Sequence, residues 1–142
     1  MPKLLNWLDW LDLPKRFNER LIARLGLTFV FVGFGVYELT QPSQWSGYVP
    51  PFVAAHVPVV PVVLAHGWML LMLGVALLID FWPRVAIWVA VGVMVEIVLG
   101  LLTTSGFSVT LLRDTGLFAL ALATALGGRR TAARVAAAPS RR

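Results

Sequence analysis

The sequence of 142 residues contains no cysteine, which excludes disulfide bonds, thiol chemistry and cysteine-ligated zinc or iron–sulfur clusters within the chain. Charged residues are also scarce, at 13% of the chain, whereas a soluble domain carries about 25%. Hydrophobic residues make up 58% of the sequence, and the mean hydropathy is +0.80. This composition predicts a polytopic membrane protein with a single domain.

No cleavable signal sequence is evident at the N-terminus, because aspartates interrupt its apolar residues and no small-residue cleavage site follows. Leu4, Trp7, Leu8 and Leu11 instead recur at helical spacing, and two aspartates lie on another face. We therefore predict a short amphipathic helix within residues 1–20 that lies in the membrane interface.

Four apolar segments are each close to the roughly 20 residues that a membrane-spanning helix requires. The predicted spans are residues 21–39, 62–81, 85–104 and 107–126. We expect an all-α protein in which these spans form a four-helix bundle over residues 21–127. Residues 128–142, which include five arginines, are predicted to be a flexible basic tail.

The segment between the first two spans, residues 40–61, contains five prolines, which exclude a long helix. The segment is nevertheless apolar and aromatic, so we expect Trp45 and Tyr48 to anchor it at the membrane interface. Two interpretations stay open: a connector that lies along the membrane surface, and a lid over a functional site.

The basic residues predict the orientation, because Lys and Arg are enriched on the cytoplasmic side of membrane proteins. Apart from Arg113, inside the fourth predicted span, they lie at the N-terminal side, at Arg84 in the turn between spans two and three, and in the C-terminal tail. The other two loops contain none. We therefore expect a multi-pass protein of the cell inner membrane with both termini in the cytoplasm. The net charge of +5 is explained by this topology, and no nucleic-acid partner is expected.

Ionisable residues inside the predicted spans are the main functional signal, because each costs several kcal/mol or so in hydrocarbon unless it is paired or hydrated. Glu96 lies four residues from Gly92 and four from Gly100, so the three residues share one helical face. Small residues mark the faces at which membrane helices approach closely. Glu96 is therefore expected to face the bundle.

Arg113 is also predicted to face inward, because small residues follow it on nearly one face of the last span. These residues are Gly116, Ala119, Ala123 and Gly127. Asp114 is turned about 100° from Arg113 around the helix, so we expect it to face a different neighbour.

Depths counted at about 1.5 Å per residue place Glu38, His66, Glu96 and Arg113 in the outer half of the bundle. In a structural interpretation, Glu96 and Arg113 form a buried ion pair. Asp114 then complements the N-terminal end of the last helix, and Glu38 and His66 are solvated rim residues. In a functional interpretation, these groups line a pocket in which Glu96 and His66 exchange protons with a substrate. Arg113, Asp114 and Glu38 would then bind that substrate.

A metal site is a weaker hypothesis. It would require His66, Glu38, Glu96 and His56 to converge from three spans and a loop, and no short ligand spacing supports this. We therefore assign no metal ligand, and no redox cofactor motif is evident in the chain.

Several stretches resemble the DoxX-like family of small four-helix membrane proteins. Residues 24–38 are similar to the first span of that family, and residues 42–50 match its outer loop, Pro-x-x-Trp-x-Gly-Tyr-x-Pro. Gly67 and Gly74 match its second span, and Arg113 with Asp114 resembles the Arg-Asp-x-x-Leu opening of its fourth span. The resemblance covers about residues 21–127. One position departs from the pattern, since many relatives carry a glutamate where this chain has Leu70.

This resemblance implies a role beside quinone-linked respiration, because the family includes membrane subunits of a quinol oxidase and of a thiosulfate:quinone oxidoreductase. We accordingly expect an integral membrane subunit with quinone as its substrate, and a redox partner subunit or larger membrane complex that handles the electrons. The alternative is a non-catalytic anchor or peripheral structural subunit of a larger membrane complex.

Overall fold

The computed structural model describes residues 19–136 and the side chains of residues 20–127. The amphipathic helix predicted within residues 1–20 falls almost wholly outside this part of the chain. Within it, the elements are α1 Glu19–Thr40, α2 Pro42–Trp45, a 3-10 turn Ser46–Tyr48, α3 Pro51–Ala54, α4 Val59–Leu78, α5 Pro83–Thr104 and α6 Val109–Ala136. The described residues contain no strand, so the predicted all-α class is confirmed for them.

Four of these helices are long and apolar enough to cross a membrane. The candidate spans are Arg20–Thr40, Val59–Leu78, Pro83–Thr104 and Val109–Gly127. No more than 33% of any spanning window is buried inside the molecule, so large apolar side chains such as Phe29 and Met72 point outward. An apolar outer surface of this kind suits contact with lipid. The fold is therefore that of a multi-pass membrane protein.

Two helix boundaries differ from the predicted spans. The second spanning helix begins at Val59, three residues before the prediction, because Pro58 precedes its first residue and Pro61 lies in its first turn. A proline is tolerated there, since backbone N–H groups in the first turn have no helical partner. The last helix continues to Ala136, ten residues past the predicted end at residue 126. Its extension is rich in alanine and arginine, which favour helix formation.

Glycines bring α1 and α4 into close contact. A β-carbon at Gly35 would lie 2.8 Å from the carbonyl oxygen of Gly67 and 2.8 Å from the backbone nitrogen of Leu71. A β-carbon at Gly74 would lie 2.7 Å from Cγ2 of Val32. Close backbone approach between small residues is a main source of helix association in membranes. These glycines therefore fix how α1 sits on α4.

The turn between α4 and α5 uses left-handed residues other than glycine. Asp80 has a φ of 60° and Trp82 a φ of 44°. The N–H of Phe81 donates to the carbonyl of Ala76 at 2.9 Å, which closes a Schellman motif with Asp80 at its left-handed position. The carboxylate of Asp80 also forms an ion pair with Arg24 of α1. The ion pair thus joins α1 to the turn between α4 and α5, residues 79–82, and we call this end of the molecule the turn end.

The opposite end, which we call the loop end, carries residues 41–58. Here α1 packs on α4 and α5 packs on α6, whereas α4 contacts α5 much less extensively. The buried core of apolar side chains runs between the two pairs and includes Phe31, Leu70, Leu77, Ala90, Met94 and Ala121. The two pairs separate enough near the loop end to leave a cavity.

Candidate functional site

A cavity of about 550 Å³ lies at the loop end, between the α1/α4 pair and the α5/α6 pair. Small-molecule sites usually have volumes of about 300–1,000 Å³. Much of the lining is apolar or aromatic, including Phe31, Phe34, Trp45, Tyr48 and Phe52. All five site residues proposed from the sequence, Glu38, His66, Glu96, Arg113 and Asp114, also line it. The structure thus brings them together, although it does not test the roles assigned to them.

Glu38 and His66 form a hydrogen-bonded pair inside the molecule. Glu38 lies in the last turn of α1 and is only 5% exposed. Its Oε2 lies 2.8 Å from Nδ1 of His66, on α4. Gly67 allows this approach, because a β-carbon there would lie 3.0 Å from Cβ of Glu38. The structural interpretation, in which both are solvated rim residues, does not hold, because the glycine contact draws Glu38 into the helix interface and only 21% of the His66 side chain is exposed.

This pairing determines which atom of His66 is available for chemistry. When Nδ1–H donates to the carboxylate, Nε2 is the remaining ring atom. Nε2 is buried and makes no hydrogen bond within the described structure. The nearest ionisable atom is Oε2 of Glu96, at 3.8 Å, which is too long for a hydrogen bond. Nε2 is therefore the ring atom whose hydrogen bond a ligand would supply, by displacing the side chains that cover it.

Glu96 lies at the mouth of the cavity, with 66% of its side chain exposed. It was expected to face the bundle, and it does line the cavity between the helix pairs, but the fully buried face of α5 carries Ala90, Met94 and Leu101. Gly92 is exposed too, and no atom lies within 4 Å of a β-carbon built there. The glycine spacing was therefore a poor guide to which face of α5 packs within this chain.

Arg113 pairs with its own neighbour in sequence. Its Nε and Nη2 donate to the two carboxylate oxygens of Asp114, at 2.6 and 3.2 Å. Asp114 is 5% exposed, whereas the side chain of Arg113 is 48% exposed. The predicted inward position thus belongs to Asp114, because the buried face of α6 carries Leu111, Asp114 and Ala121. Asp114 also lies beyond the first turn of α6, so it does not complement the helix end.

The described part of the chain does not contain the ion pair between Glu96 and Arg113 that the structural interpretation required. Arg113 is engaged by Asp114, and its guanidinium carbon lies 4.9 Å from the centre of the Phe34 ring. Such a stack of a cation on an aromatic face contributes about 0.5–2 kcal/mol. It also connects α6 to α1 along one side of the cavity.

Aromatic side chains from residues 41–58 complete the wall. The Trp45 ring meets the edges or faces of Phe34 and Tyr37 at centroid distances of 5.4 and 5.6 Å, nearly perpendicular to both. Its Nε1 is buried without a hydrogen-bond partner in the described structure. From the sequence, Trp45 was expected to be an interface anchor, and Phe34 was not among the predicted site residues. The aromatic residues within 41–58 were the sequence signal that this segment packs against other apolar side chains.

His56 lies outside this group, and its Nδ1 is 2.7 Å from the carbonyl oxygen of Phe52 in an exposed turn. Within residues 19–136, no three His, Asp or Glu side chains are grouped so that they could hold a metal ion. The cavity is therefore described by its Glu38–His66 pair, its Arg113–Asp114 pair and its aromatic wall.

No protein-family model matches the chain, and comparisons with curated proteins and with solved structures give no match either. The resemblance to the DoxX-like family thus depends on the motifs quoted above and stays a prediction.

Proposed function

We propose that this protein is a DoxX-like membrane subunit that binds a quinone headgroup in the cavity and takes part in quinone-linked oxidoreduction. The observation that supports this most is the aromatic cavity with a buried Glu38–His66 pair at its polar side. A quinone has a planar apolar ring, oxygens at opposite edges and an apolar tail. It needs a site of this mixed character.

Proton exchange is assigned to His66. Oxidation of a quinol to a quinone releases two electrons and two protons. Nε2 of His66 accepts the proton of the nearer hydroxyl, and the proton of the second hydroxyl leaves to solvent beside Arg113, whose side chain is 48% exposed. Glu38 stabilises the resulting imidazolium through Nδ1, as a carboxylate does in other acid–base pairs. Glu96, at the cavity mouth, passes the proton outward. In the reverse reaction, the same groups supply protons.

The second oxygen of the ring is assigned to Arg113. Two of its nitrogens bind Asp114, which fixes the guanidinium and leaves Nη1 for a carbonyl oxygen. The ring itself packs against Phe34 and Trp45. The electrons pass to or from a redox centre on a partner subunit, because the sequence carries no cofactor motif. With both termini in the cytoplasm, the cavity lies in the outer half of a four-helix bundle.

The proposal is tested by titrating the full chain in lipid nanodiscs with a short-tailed ubiquinone, decylubiquinone. We expect saturable binding that empty nanodiscs do not show. Glu96→Gln is expected to weaken binding by a few-fold, since Glu96 reaches only the edge of the site. Asp80→Asn removes a carboxylate at the turn end and serves as the matched control. Absence of saturable binding to the wild type would overturn the proposed function, and equal affinity of Glu96→Gln would remove Glu96 from the site.

A non-catalytic anchor within a larger membrane complex is the alternative, and one observation favours it. Gly116, Ala119 and Ala123 form an exposed strip on α6, and small residues often mark contacts between membrane helices. This alternative predicts that a partner protein co-purifies in fixed ratio. It also predicts that Glu96→Gln changes neither the assembly nor the activity of the resulting complex.

A further inference from the structure

One face of α5 both lines the cavity and reaches the outer surface. Glu96, Leu99 and Thr103 line the cavity and are exposed, with Leu99 at 56%. Their spacing of three and four residues places them along a single helical face. Residues that border a cavity and are also exposed lie at its openings. Glu96, Leu99 and Thr103 therefore mark one opening along this face, whereas Tyr48 and Arg113 are exposed at the loop end.

The opposite rim of this opening comes from α3 and α4. Phe52, which lines the cavity, is 70% exposed, and Val62 of α4 lines it beside Val63. Near Gly100 the rim closes, because Cγ of Pro50 lies 3.9 Å from a β-carbon built at Gly100. The opening is therefore a lateral gap between α4 and α5 that is bounded at the loop end by residues 50–53.

Between α1 and α6, one side-chain stack bridges the loop end of the cavity. Arg113 of α6 stacks on Phe34 of α1 at the loop end. Across the gap between α4 and α5, Oε2 of Glu96 approaches Nε2 of His66 to 3.8 Å, which is too long for a hydrogen bond.

The rim of the gap is mainly apolar, and it lies within two helices that are apolar enough to span a membrane. A gap of this kind opens to hydrocarbon. We propose that the ligand enters sideways from the bilayer between α4 and α5. Its headgroup advances to His66, and its apolar tail stays in the gap against Leu99 and Phe52. This inference depends on the proposed function and adds the route and the orientation of the ligand.

The test uses the absence of cysteine in the natural chain, so one introduced thiol is the only one present. Leu99→Cys places it on the rim. Leu102→Cys is the matched control, because Leu102 is 54% exposed on the same helix but does not line the cavity. Each variant is placed in nanodiscs, labelled with a bulky maleimide, and mixed with decylubiquinone in a stopped-flow binding experiment.

Labelling at Leu99→Cys is expected to slow association by about tenfold or more, while labelling at Leu102→Cys leaves the rate near that of the wild type. A tailless ubiquinone headgroup is expected to be slowed less, because it does not need the gap for its tail. Phe52→Cys on the facing rim repeats the test should unlabelled Leu99→Cys bind poorly. Unchanged association after labelling both rim positions would overturn lateral entry, whereas failure of the wild type to bind would overturn the proposed function instead.

Discussion

Gly35→Val is expected to destabilise the protein severely, by more than about 3 kcal/mol, since overpacking alone costs about 1–3 kcal/mol even where side chains can adjust. A β-carbon at Gly35 would lie 2.8 Å from two backbone atoms, one on Gly67 and one on Leu71. Backbone atoms cannot rotate away as a side chain can, so α1 and α4 would have to separate. The Glu38–His66 pair depends on the same contact and would be disturbed as well.

Gly33→Val is the matched control, two residues earlier on α1. No atom lies within 4 Å of a β-carbon built at Gly33, and the position is exposed. Thermal unfolding of detergent-solubilised protein, followed by size-exclusion chromatography, should show a large drop in midpoint for Gly35→Val and little change for Gly33→Val. Similar midpoints for the two variants would contradict the packing described here.

His66→Gln is expected to lower the affinity for decylubiquinone by about 10- to 100-fold, which corresponds to about 1.4–2.8 kcal/mol. The variant loses Nε2, the ring atom that is assigned to the ligand. Glutamine keeps an N–H that can donate to Glu38, so the buried carboxylate is not left without a partner. The loss of affinity should therefore exceed any loss of stability, and both are measured on the same nanodisc preparation.

His56→Gln provides the comparison for the other histidine of the chain. His56 is exposed and contacts only the backbone of its own turn in the described structure. The His56→Gln variant should bind decylubiquinone with the affinity of the wild type. Equal affinities of His66→Gln, His56→Gln and the wild type would show that His66 does not contact the ligand.

The sequence alone allowed the four spanning helices to be predicted, and it placed the polar groups at a similar depth while leaving a pocket as one of two interpretations. Long apolar runs indicate spanning helices directly, and counting residues from the helix ends placed Glu38, His66, Glu96 and Arg113 at similar depth. Depth along a helix depends only on its rise per residue. That simple geometry is why residues from four helices could be assigned to one level before the structure was known.

The direction of each side chain was harder to predict, because it depends on which helices become neighbours. Glycines near Glu96 and small residues after Arg113 suggested inward faces, yet Gly92 and Gly116 are exposed. Small residues permit close approach without requiring it. Of the three glycines in α1, Gly26 and Gly33 have open space around them, and only Gly35 meets another helix.

The role of residues 40–61 could not be chosen from composition, because an apolar, proline-rich segment suits both a connector and a lid. The structure shows Trp45 packed against Phe34 and Tyr37, and Val49, Pro50 and other residues of the segment lining the cavity. The segment is therefore part of the cavity wall, which sequence periodicity cannot reveal.

The most direct test of the cavity as a quinone site is photoaffinity labelling with an azido-quinone in nanodiscs, with the attachment points mapped by mass spectrometry. Met94 lines the cavity and is 3% exposed, whereas Met72 is 70% exposed and does not line it. We predict attachment at cavity residues such as Met94 and Trp45, and we expect excess decylubiquinone to suppress it. Attachment confined to outward residues such as Met72, and unaffected by excess decylubiquinone, would contradict this prediction.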